Sequence, residues 1–206
     1  IIVFDYRNGR GGAHCRQFLG AWQGHLMVDD YSGYKASFNA KKTVEPCIEL
    51  GCWTHARRKF FDLHKANQSP MAKEALQRIG QLYAVEEEGK DLSCAARQQL
   101  RAEKSQPVLN DWLTKVRART ANGGASAKAM DYTLRRWASF IRYAETGHLP
   151  IDNNVVENCI RPIALGKKNW LFAGSERAGQ RAAAIQTLPG TAKLNGLNPE
   201  EWLKDT

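Results

Sequence analysis

The chain lacks the features of several protein classes. No apolar run approaches the roughly 20 residues of a membrane-spanning helix, and the longest candidates, Ile1–Phe4 and His25–Val28, are of strand length. No basic segment precedes an apolar one at the start, so no secretory signal is expected. There is also no internal repeat and no low-complexity tract. These absences predict a cytoplasmic globular chain with no membrane partner.

A disulfide framework is also not expected. The five cysteines are an odd number without a CxxC pair, and with no export signal they are predicted to be reduced: Cys15, Cys47, Cys52, Cys94 and Cys159. Cys52 and His55 have the spacing of half a zinc site, but a structural zinc ion takes four ligands, and the nearby His14–Cys15 pair is the remaining source. A buried cysteine and a histidine at a helix start are the favoured interpretation.

What the chain has is an ordinary globular balance and an uneven charge. Of its 206 residues, 43% are hydrophobic and 25% are charged, which fits one domain or one domain with a sizeable insertion. It begins with Ile, as a fragment or processed chain does. Residues 52–148 carry 17 basic and 10 acidic side chains, while 1–51 and 149–206 are each +1. This block indicates a polyanion partner, most simply nucleic acid; a basic solvated helical surface explains the charge equally well.

The hydrophobic pattern changes period along the chain. Strands are predicted at Ile1–Phe4 and His25–Val28, with a short helix over Cys15–Trp22 between them, and Thr43–Cys47 is compatible with another short strand. From residue 53 the spacing becomes helical, as in Trp53, Ala56, Phe60 and Leu63. A β-containing start is therefore followed by about a hundred helical residues.

Further helices are predicted from capping residues and breakers. Ser93 is expected to cap a helix that Pro107 interrupts, and Ser126 to cap one helix running to Ala144. A loop at Leu149–Asn154 leads into a helix that Pro162 should end or bend. Beyond it, the segment from Trp170 to Phe172 is expected to be a short strand or turn, Gly174 and Gly179 to be loop residues, and Pro189–Gly190 to break a helix.

Two acids are placed for metal chemistry. Asp29 follows a buried strand, and ligands of α/β sheets bind beyond the carboxyl ends of strands. Glu157 lies just inside a helix, and clustered carboxylates hold the Mg²⁺ ions that activate phosphodiester chemistry. The spacing of Asn154 and Glu157 is also that of a helix capping box, which spacing alone favours. Asp30 is expected to face away from Asp29, since adjacent strand residues point to opposite faces.

The order and spacing of six segments resemble the C-terminal, catalytic part of the IS66-family transposases. They are Val3–Arg10, Leu26–Tyr34, Cys52–Phe61, Ile151–Asn158, Arg161–Ser175 and Thr191–Leu197. The resemblance implies an α/β (α+β) RNase H-like core, truncated at its N-terminus, with a large all-α insertion. The implied divisions are 1–51 for the first part of the core, 52–148 for the basic helical insertion and 149–206 for the C-terminal helical part.

The resemblance also implies a triad of two Asp and one Glu that binds Mg²⁺, with Mn²⁺ as a substitute. The second Asp falls on Asp29 and the Glu on Glu157, while the first Asp is expected upstream of residue 1. Asp5 does not match it, because its segment resembles a later strand. The family usually has Gly at the position of Asp30. The expected activity is DNA strand cleavage and strand transfer, incomplete in this fragment.

Basic residues near these motifs are expected to contact DNA phosphates: Arg57, Arg58, Lys59, Arg161, Lys167 and Lys168. Each is about as well explained as an ordinary surface charge. The implied partners are the transposon ends and target DNA, with homo-oligomers when active, in the nucleoid of a bacterial cytoplasm. The alternatives are a non-catalytic DNA-binding or interaction remnant of a transposase, and another RNase H-like nuclease such as a resolvase, against which the helical insertion argues.

Overall fold

The computed structural model describes residues 1–39, 46–110, 112–170 and 173–204, without the side chains of 167–170. The chain divides into two compact units. The first, here called the core unit, comprises Gln23–Asp30 and Cys47–Asn153. The second, here called the terminal unit, comprises Ile1–Trp22, Tyr31–Pro46 and Asn154–Thr206.

The described elements are mostly helical, with a small two-stranded parallel sheet. The strands are β1 (His25–Val28) and β2 (Ile48–Gly51). The α-helices are α1 (Gly12–Leu19), α2 (Trp53–Asn67), α3 (Pro70–Glu88), α4 (Cys94–Leu100), α5 (Gln106–Val108), α6 (Trp112–Ala118), α7 (Ala125–Leu134), α8 (Trp137–Ile141), α9 (Asn154–Trp170), α10 (Glu176–Leu194) and α11 (Pro199–Lys204). 3₁₀ turns span Ser32–Phe38 and Arg142–Glu145, and a π-helical turn spans Arg101–Ser105. No helix among the described residues is long and apolar enough to cross a bilayer.

The sheet belongs to the core unit. His25 of β1 lies opposite Ile48 of β2, and Val28 lies opposite Gly51. Because the strands are parallel, their carboxyl ends meet at one edge. At that edge a Cβ on Gly51 would lie 2.8 Å from the ring of Phe140, so the close packing of helix on strand requires glycine. The strand at His25–Val28 is confirmed; of Thr43–Cys47, residues 43–45 lie outside the described residues and Cys47 is not in a strand.

The pair of helices α2 and α3 supplies much of the core. The predicted stripe on α2 is confirmed, because each of its members is buried: Trp53, Ala56, Phe60 and Leu63. Helix α3 begins after Ser69, whose side chain accepts a hydrogen bond from the amide of Ala72, with Pro70 at the first helical position. That combination satisfies one free amide and starts the helix where proline needs no donor.

The middle helices confirm one predicted cap and differ from expectation in other features. The side chain of Ser93 accepts a hydrogen bond from the amide of Ala96, so the cap predicted there is confirmed. Ahead of Pro107 the chain forms the π-helical turn, a change of register that avoids the clash of a proline ring with the carbonyl four residues before it. The cap at Ser126 and the single helix to Ala144 are wrong, because Gly124 precedes α7 and the chain breaks before α8 at Arg136.

The first residues of the terminal unit run extended along α10. The amides of Ile2 and Phe4 donate to the side-chain oxygens of Thr191 and Thr187 at 3.1 and 3.0 Å. The predicted strand at Ile1–Phe4 is wrong in the described part of the chain, because these contacts to a helix replace a ladder to another strand. The first helix is confirmed, although α1 begins three residues earlier and ends three residues earlier than predicted.

Prolines do not break the terminal helices. Pro162 lies inside α9 and Pro189 inside α10. The predicted break at Pro189 is therefore wrong, and α9 does not end at Pro162, where the alternative of a bend stays a prediction. Each proline removes one backbone hydrogen bond while the rest of the helix is kept. Gly179 is helical rather than a loop residue, and its missing side chain leaves room for the ring of Tyr6. Trp170 ends α9, and Leu171 and Phe172 lie outside the described residues.

Candidate functional site

Asp29 follows the last residue of β1, at the edge where the carboxyl ends of both strands meet. Val28 before it is buried, at 4% exposure, whereas the Asp29 residue is exposed. The buried end of the strand therefore fixes the backbone next to an exposed residue. This placement, predicted from the sequence, is suited to binding a ligand at the end of the sheet.

Tyr132 of α7 holds the backbone of Asp29. Its hydroxyl donates to the Asp29 carbonyl oxygen at 3.3 Å, and in turn accepts from Nη1 of Arg136 at 3.3 Å. Burial raises the pKa of the Tyr132 phenol above its ordinary value, so the phenol remains a donor. A chain of hydrogen bonds therefore runs from Arg136 through Tyr132 to Asp29, the residue that follows β1.

Arg136 is a buried arginine, only 7% exposed, that contacts both strands. Its guanidinium lies 2.7 Å from a Glu49 carboxylate oxygen and 3.2 Å from the Val28 carbonyl oxygen. Backbone angles of φ −117° and ψ 21° take Arg136 out of helical geometry, so α7 and α8 separate where this side chain reaches the sheet. The sequence signal for this role is weak: a basic residue at helical spacing from Thr133 and Phe140.

Asp30 lies outside the strand, in a left-handed conformation. Its φ is 75°, which Asp tolerates better than most residues and glycine best of all. One of its carboxylate oxygens lies 3.6 Å from Nε of Arg136. A glycine at this position, usual in the family that the sequence resembles, fits the same backbone turn. The structure thus directs the Asp30 carboxylate to an arginine.

One of the basic residues of α2, Lys59, lies near this edge. Arg57, Arg58 and Lys59 are all exposed. The Lys59 ammonium lies 5.4 Å from the centre of the Tyr132 ring, within range of a cation–π contact. The same tyrosine bonds Asp29, so the structure brings one of the predicted DNA-contact residues to the side chain that supports Asp29.

Glu157 lies exposed in the first turn of α9, where the helix dipole favours a negative charge. Arg161, one turn later, is exposed too. The side chains of Lys167 and Lys168 lie outside the described residues. Asp29 belongs to the core unit and Glu157 to the terminal unit, so their proximity stays a prediction, as does the capping box.

The residues immediately before α9 are fixed to the start of α2 and to α3. Asp152 accepts hydrogen bonds from the hydroxyls of Thr54 and Tyr83 at 2.9 and 2.7 Å. The amide of Trp53 donates to the carbonyl oxygen of Ile151 at 3.1 Å. Burial, and then the nearby Asp152 carboxylate, raises the pKa of the Tyr83 phenol well above its ordinary value. Sequence analysis missed this network, since residues 54, 83 and 152 show no shared periodicity.

Cys52 has the environment of a buried thiol. Its S–H donates to the side-chain oxygen of Asn153 at 2.9 Å, and burial raises its pKa, whereas zinc binds the thiolate. Among the described residues no group of three or more His, Cys, Asp and Glu side chains is arranged to hold a metal ion. The half-site of Cys52 and His55 therefore gains no further ligands there.

Comparison with known proteins identifies the family. The family model described as "Transposase IS66 family" matches residues 1–181, most of the chain. The chain belongs to the transposase IS66 family. The match includes β1, Asp29, the helices of the core unit and Glu157, so the resemblance stated from the sequence is confirmed.

Relatives are found in Sinorhizobium fredii strain NGR234. Uncharacterized proteins y4hP and y4qI are each 36% identical to the chain, over 98% and 100% of its length. Uncharacterized protein y4jD is 33% identical over 99% of it. The chain spans 39 to 41% of the length of these relatives. No solved structure matches.

Proposed function

We propose that this chain is part of the catalytic domain of a DNA transposase. The enzyme would cut and join DNA strands with metal ions that are bound by Asp29 and Glu157. The observation that carries the proposal is the exposed Asp29 at the carboxyl end of a parallel strand whose last residue is buried, inside a segment that matches a transposase family. The RNase H-like fold belongs to the same proposal, and the parallel pairing of β1 with β2 is compatible with it.

The donor chemistry fits Mg²⁺, with Mn²⁺ as a substitute. Both ions prefer carboxylate oxygens, and Asp29 and Glu157 are exposed carboxylates. Bound metal would activate the attacking oxygen and stabilise the leaving oxygen of an in-line displacement. Asp29 would present its carboxylate from a backbone fixed by Tyr132. Asp30 is a poorer ligand, since Arg136 lies beside its carboxylate.

The exposed basic residues of α2 support a DNA partner. Arg57 and Arg58 are exposed, and Lys59 contacts the Tyr132 ring that supports Asp29. A phosphate held by Lys59 would therefore lie near the proposed metal ligand, as cleavage of a phosphodiester requires. Such contacts position DNA without reading its sequence. Arg161, Lys167 and Lys168 on α9 are proposed to contact DNA phosphates as well. The proposed partners are the transposon ends and target DNA, bound by an active homo-oligomer.

Full activity is proposed to need a carboxylate beyond these two. Each Mg²⁺ releases its water reluctantly and takes several oxygen ligands, and the resemblance places a third acid upstream of the segments matched here. The relatives are about two and a half times as long as the aligned chain. We expect weak DNA binding by the 206-residue chain alone, and cleavage by a version extended upstream.

The experiment is a nicking and strand-transfer assay with Mg²⁺ or Mn²⁺ on both versions. In the extended version, Asp29→Asn and Glu157→Gln should each abolish cleavage while DNA binding remains. Asp91→Asn, a change at an exposed loop acid, is the matched control and should leave cleavage unchanged. Metal-dependent cleavage that survives both substitutions would show the site to be elsewhere. DNA binding without any cleavage would favour a non-catalytic remnant.

A further inference from the structure

We propose that Arg136 is a positioning residue that sets the geometry of the strand end bearing Asp29, together with Tyr132. The inference rests on the proposed function in assigning Asp29 to the metal. It adds a residue to which neither the composition nor the family match gives a role. Arg136 touches groups on both sides of Asp29 in the chain, while Asp29 itself stays exposed.

Three contacts define the arrangement. Arg136 donates to the carbonyl oxygen of Val28, the residue before Asp29, at 3.2 Å. It lies 3.6 Å from the carboxylate of Asp30, the residue after Asp29. Through Tyr132 it also reaches the carbonyl oxygen of Asp29 itself. Three consecutive residues of the strand end are therefore tied to one buried guanidinium.

Glu49 of β2 is the second acid at the guanidinium, beside Asp30. Its carboxylate oxygen lies 2.7 Å from Arg136, so the arginine joins the last residue of β1 to the second residue of β2. The planar guanidinium can serve these partners at once because it has five N–H donors in a fixed fork. A lysine carries the same charge on a single nitrogen and cannot satisfy all of them.

The backbone conformation of Asp30 indicates what its ion pair with Arg136 does. A residue other than glycine with φ of 75° is strained, and such strain persists where surrounding contacts over-determine it. The ion pair with Arg136 is such a contact. It keeps Asp30 in the turn that exposes Asp29, and it draws the Asp30 carboxylate toward the arginine. In the proposed site, Asp29 is the acid of this edge that binds metal, and Asp30 is held by the arginine.

Arg136→Lys is the decisive variant, because it keeps the charge and removes the geometry. Arg142→Lys is the matched control, since Arg142 also reaches β2, donating to the carbonyl oxygen of Glu49 at 2.6 Å. Two measurements are made on the 206-residue chain: hydrogen exchange of the amides of residues 26–31 without metal, and Mn²⁺ affinity by electron paramagnetic resonance. Asp29→Asn is included to test the metal site itself.

We expect Arg136→Lys to speed exchange at residues 28–31 and to weaken Mn²⁺ binding about 10- to 100-fold, the range found when groups that orient metal ligands are changed. Arg142→Lys should change neither. If a general loss of fold explained the effect, both lysine variants would show it in proportion to their lowered stability. If Arg136 acted only through its charge, Arg136→Lys would behave as wild type.

The two proposals fail separately. Mn²⁺ binding that Asp29→Asn leaves unchanged would overturn the assignment of Asp29 to the metal, and the exchange measurement would still decide the role of Arg136. Equal protection of the amides of residues 28–31 against hydrogen exchange in Arg136→Lys and Arg142→Lys would overturn the positioning role of Arg136. That conclusion would hold for any result of the Mn²⁺ measurement. Arg136→Gln serves as a second test, with faster exchange than Arg136→Lys expected, because both the charge and the fork are lost.

Discussion

The core unit and the terminal unit bury their apolar residues to very different extents. Among the described residues, Ala192 is the one buried apolar side chain of the terminal unit, while the rest belong to the core unit. Most of the large exposed apolar side chains lie in the terminal unit, including Val155, Val156, Leu165, Ile185 and Leu188. A helical repeat of apolar residues thus predicts a helix and its apolar face in both units, but not whether that face finds a partner.

The contrast predicts that truncating an apolar side chain is costly in one unit and neutral in the other. Phe60 is 1% exposed and Ile185 is 63% exposed. We expect Phe60→Ala to lower the free energy of unfolding by about 3–5 kcal/mol, because it leaves a cavity and loses the transfer free energy of the ring. Ile185→Ala should change it by less than about 0.5 kcal/mol.

Urea unfolding followed by circular dichroism measures both variants on the 206-residue chain. The slope of the free energy against urea should be unchanged in each variant, so that a shift of the midpoint reports stability. A large loss in Ile185→Ala, similar to that in Phe60→Ala, would mean that the α10 face is covered in solution, and the contrast between the units would be wrong.

Two prolines of the terminal unit occupy different positions in their helices. Pro189 lies inside α10, where proline costs up to about 3 kcal/mol relative to alanine. We expect Pro189→Ala to stabilise α10, because the new amide can donate to the carbonyl oxygen four residues earlier. The gain should appear as greater helicity by circular dichroism and slower amide exchange across residues 184–193.

Pro199 is the matched control for this substitution. It is the first residue of α11, where the missing amide costs no hydrogen bond and the fixed φ favours the helix. Pro199→Ala is therefore expected to give no gain. If Pro189→Ala destabilised the chain, the proline would be needed for the packing of α10, and its cost to the helix would be outweighed by that contact.

Local patterns predicted several elements, and long-range polar contacts explain two of the errors. The stripe on α2 and the strand before Asp29 follow from side-chain spacing alone. The break between α7 and α8 does not, because it depends on an arginine reaching strands about 90 to 110 residues away in sequence. The same holds for Ile1–Phe4, whose partners are two threonines of α10.

The candidate site was predictable in part. The position of Asp29 at a strand end could be predicted from the apolar run before it. The metal-binding role of Glu157 was predicted from the family resemblance, since the spacing of Asn154 and Glu157 favoured a helix cap. Arg136 and Tyr132 were missed because each looks like part of an ordinary amphipathic helix. A conflict between local pattern and observed structure is expected at functional sites, and the break at Arg136 adjoins Asp29.

Alkaline pH should weaken the core unit through its buried phenols. Burial raises the pKa of Tyr83, Tyr132 and Tyr143. Above a pH of about 10, phenols of the unfolded chain ionise, while these three stay protonated in the folded chain. Unfolding then releases protons, so the free energy of unfolding falls as pH rises above about 10 and is unaffected below it.

Tyr83→Phe tests the contribution of one phenol. At neutral pH we expect a loss of about 1 kcal/mol, the usual value of a hydrogen bond, because Asp152 loses one of its two hydroxyl donors. The fall in stability between pH 9 and 11, measured by urea midpoints, should be shallower than in wild type, since one ionising group is gone. An unchanged slope would contradict the protected state of Tyr83.

The most direct local probe of the core unit is Cys52, whose replacement is expected to have only a small effect on stability. Its side chain is fully buried and its thiol pKa is raised by burial, whereas Cys94 at the start of α4 is exposed. Because the thiolate is the reactive form, a thiol reagent should modify Cys94 at once and Cys52 only when the core unit opens. Cys52→Ser should cost less than about 1 kcal/mol, since a hydroxyl can still donate to Asn153.

The labelling rate of Cys52 therefore reports on the opening of the core unit without unfolding the whole population. Each 1.4 kcal/mol lost by the folded state raises the open fraction about tenfold, so Phe60→Ala should speed labelling of Cys52 by about 100-fold or more. Ile185→Ala should leave that rate unchanged, and Cys94 should react equally fast in all three proteins. If Cys52 were labelled as fast as Cys94 in the wild-type chain, its burial would be wrong. Acceleration by Ile185→Ala would instead show that the two units open together.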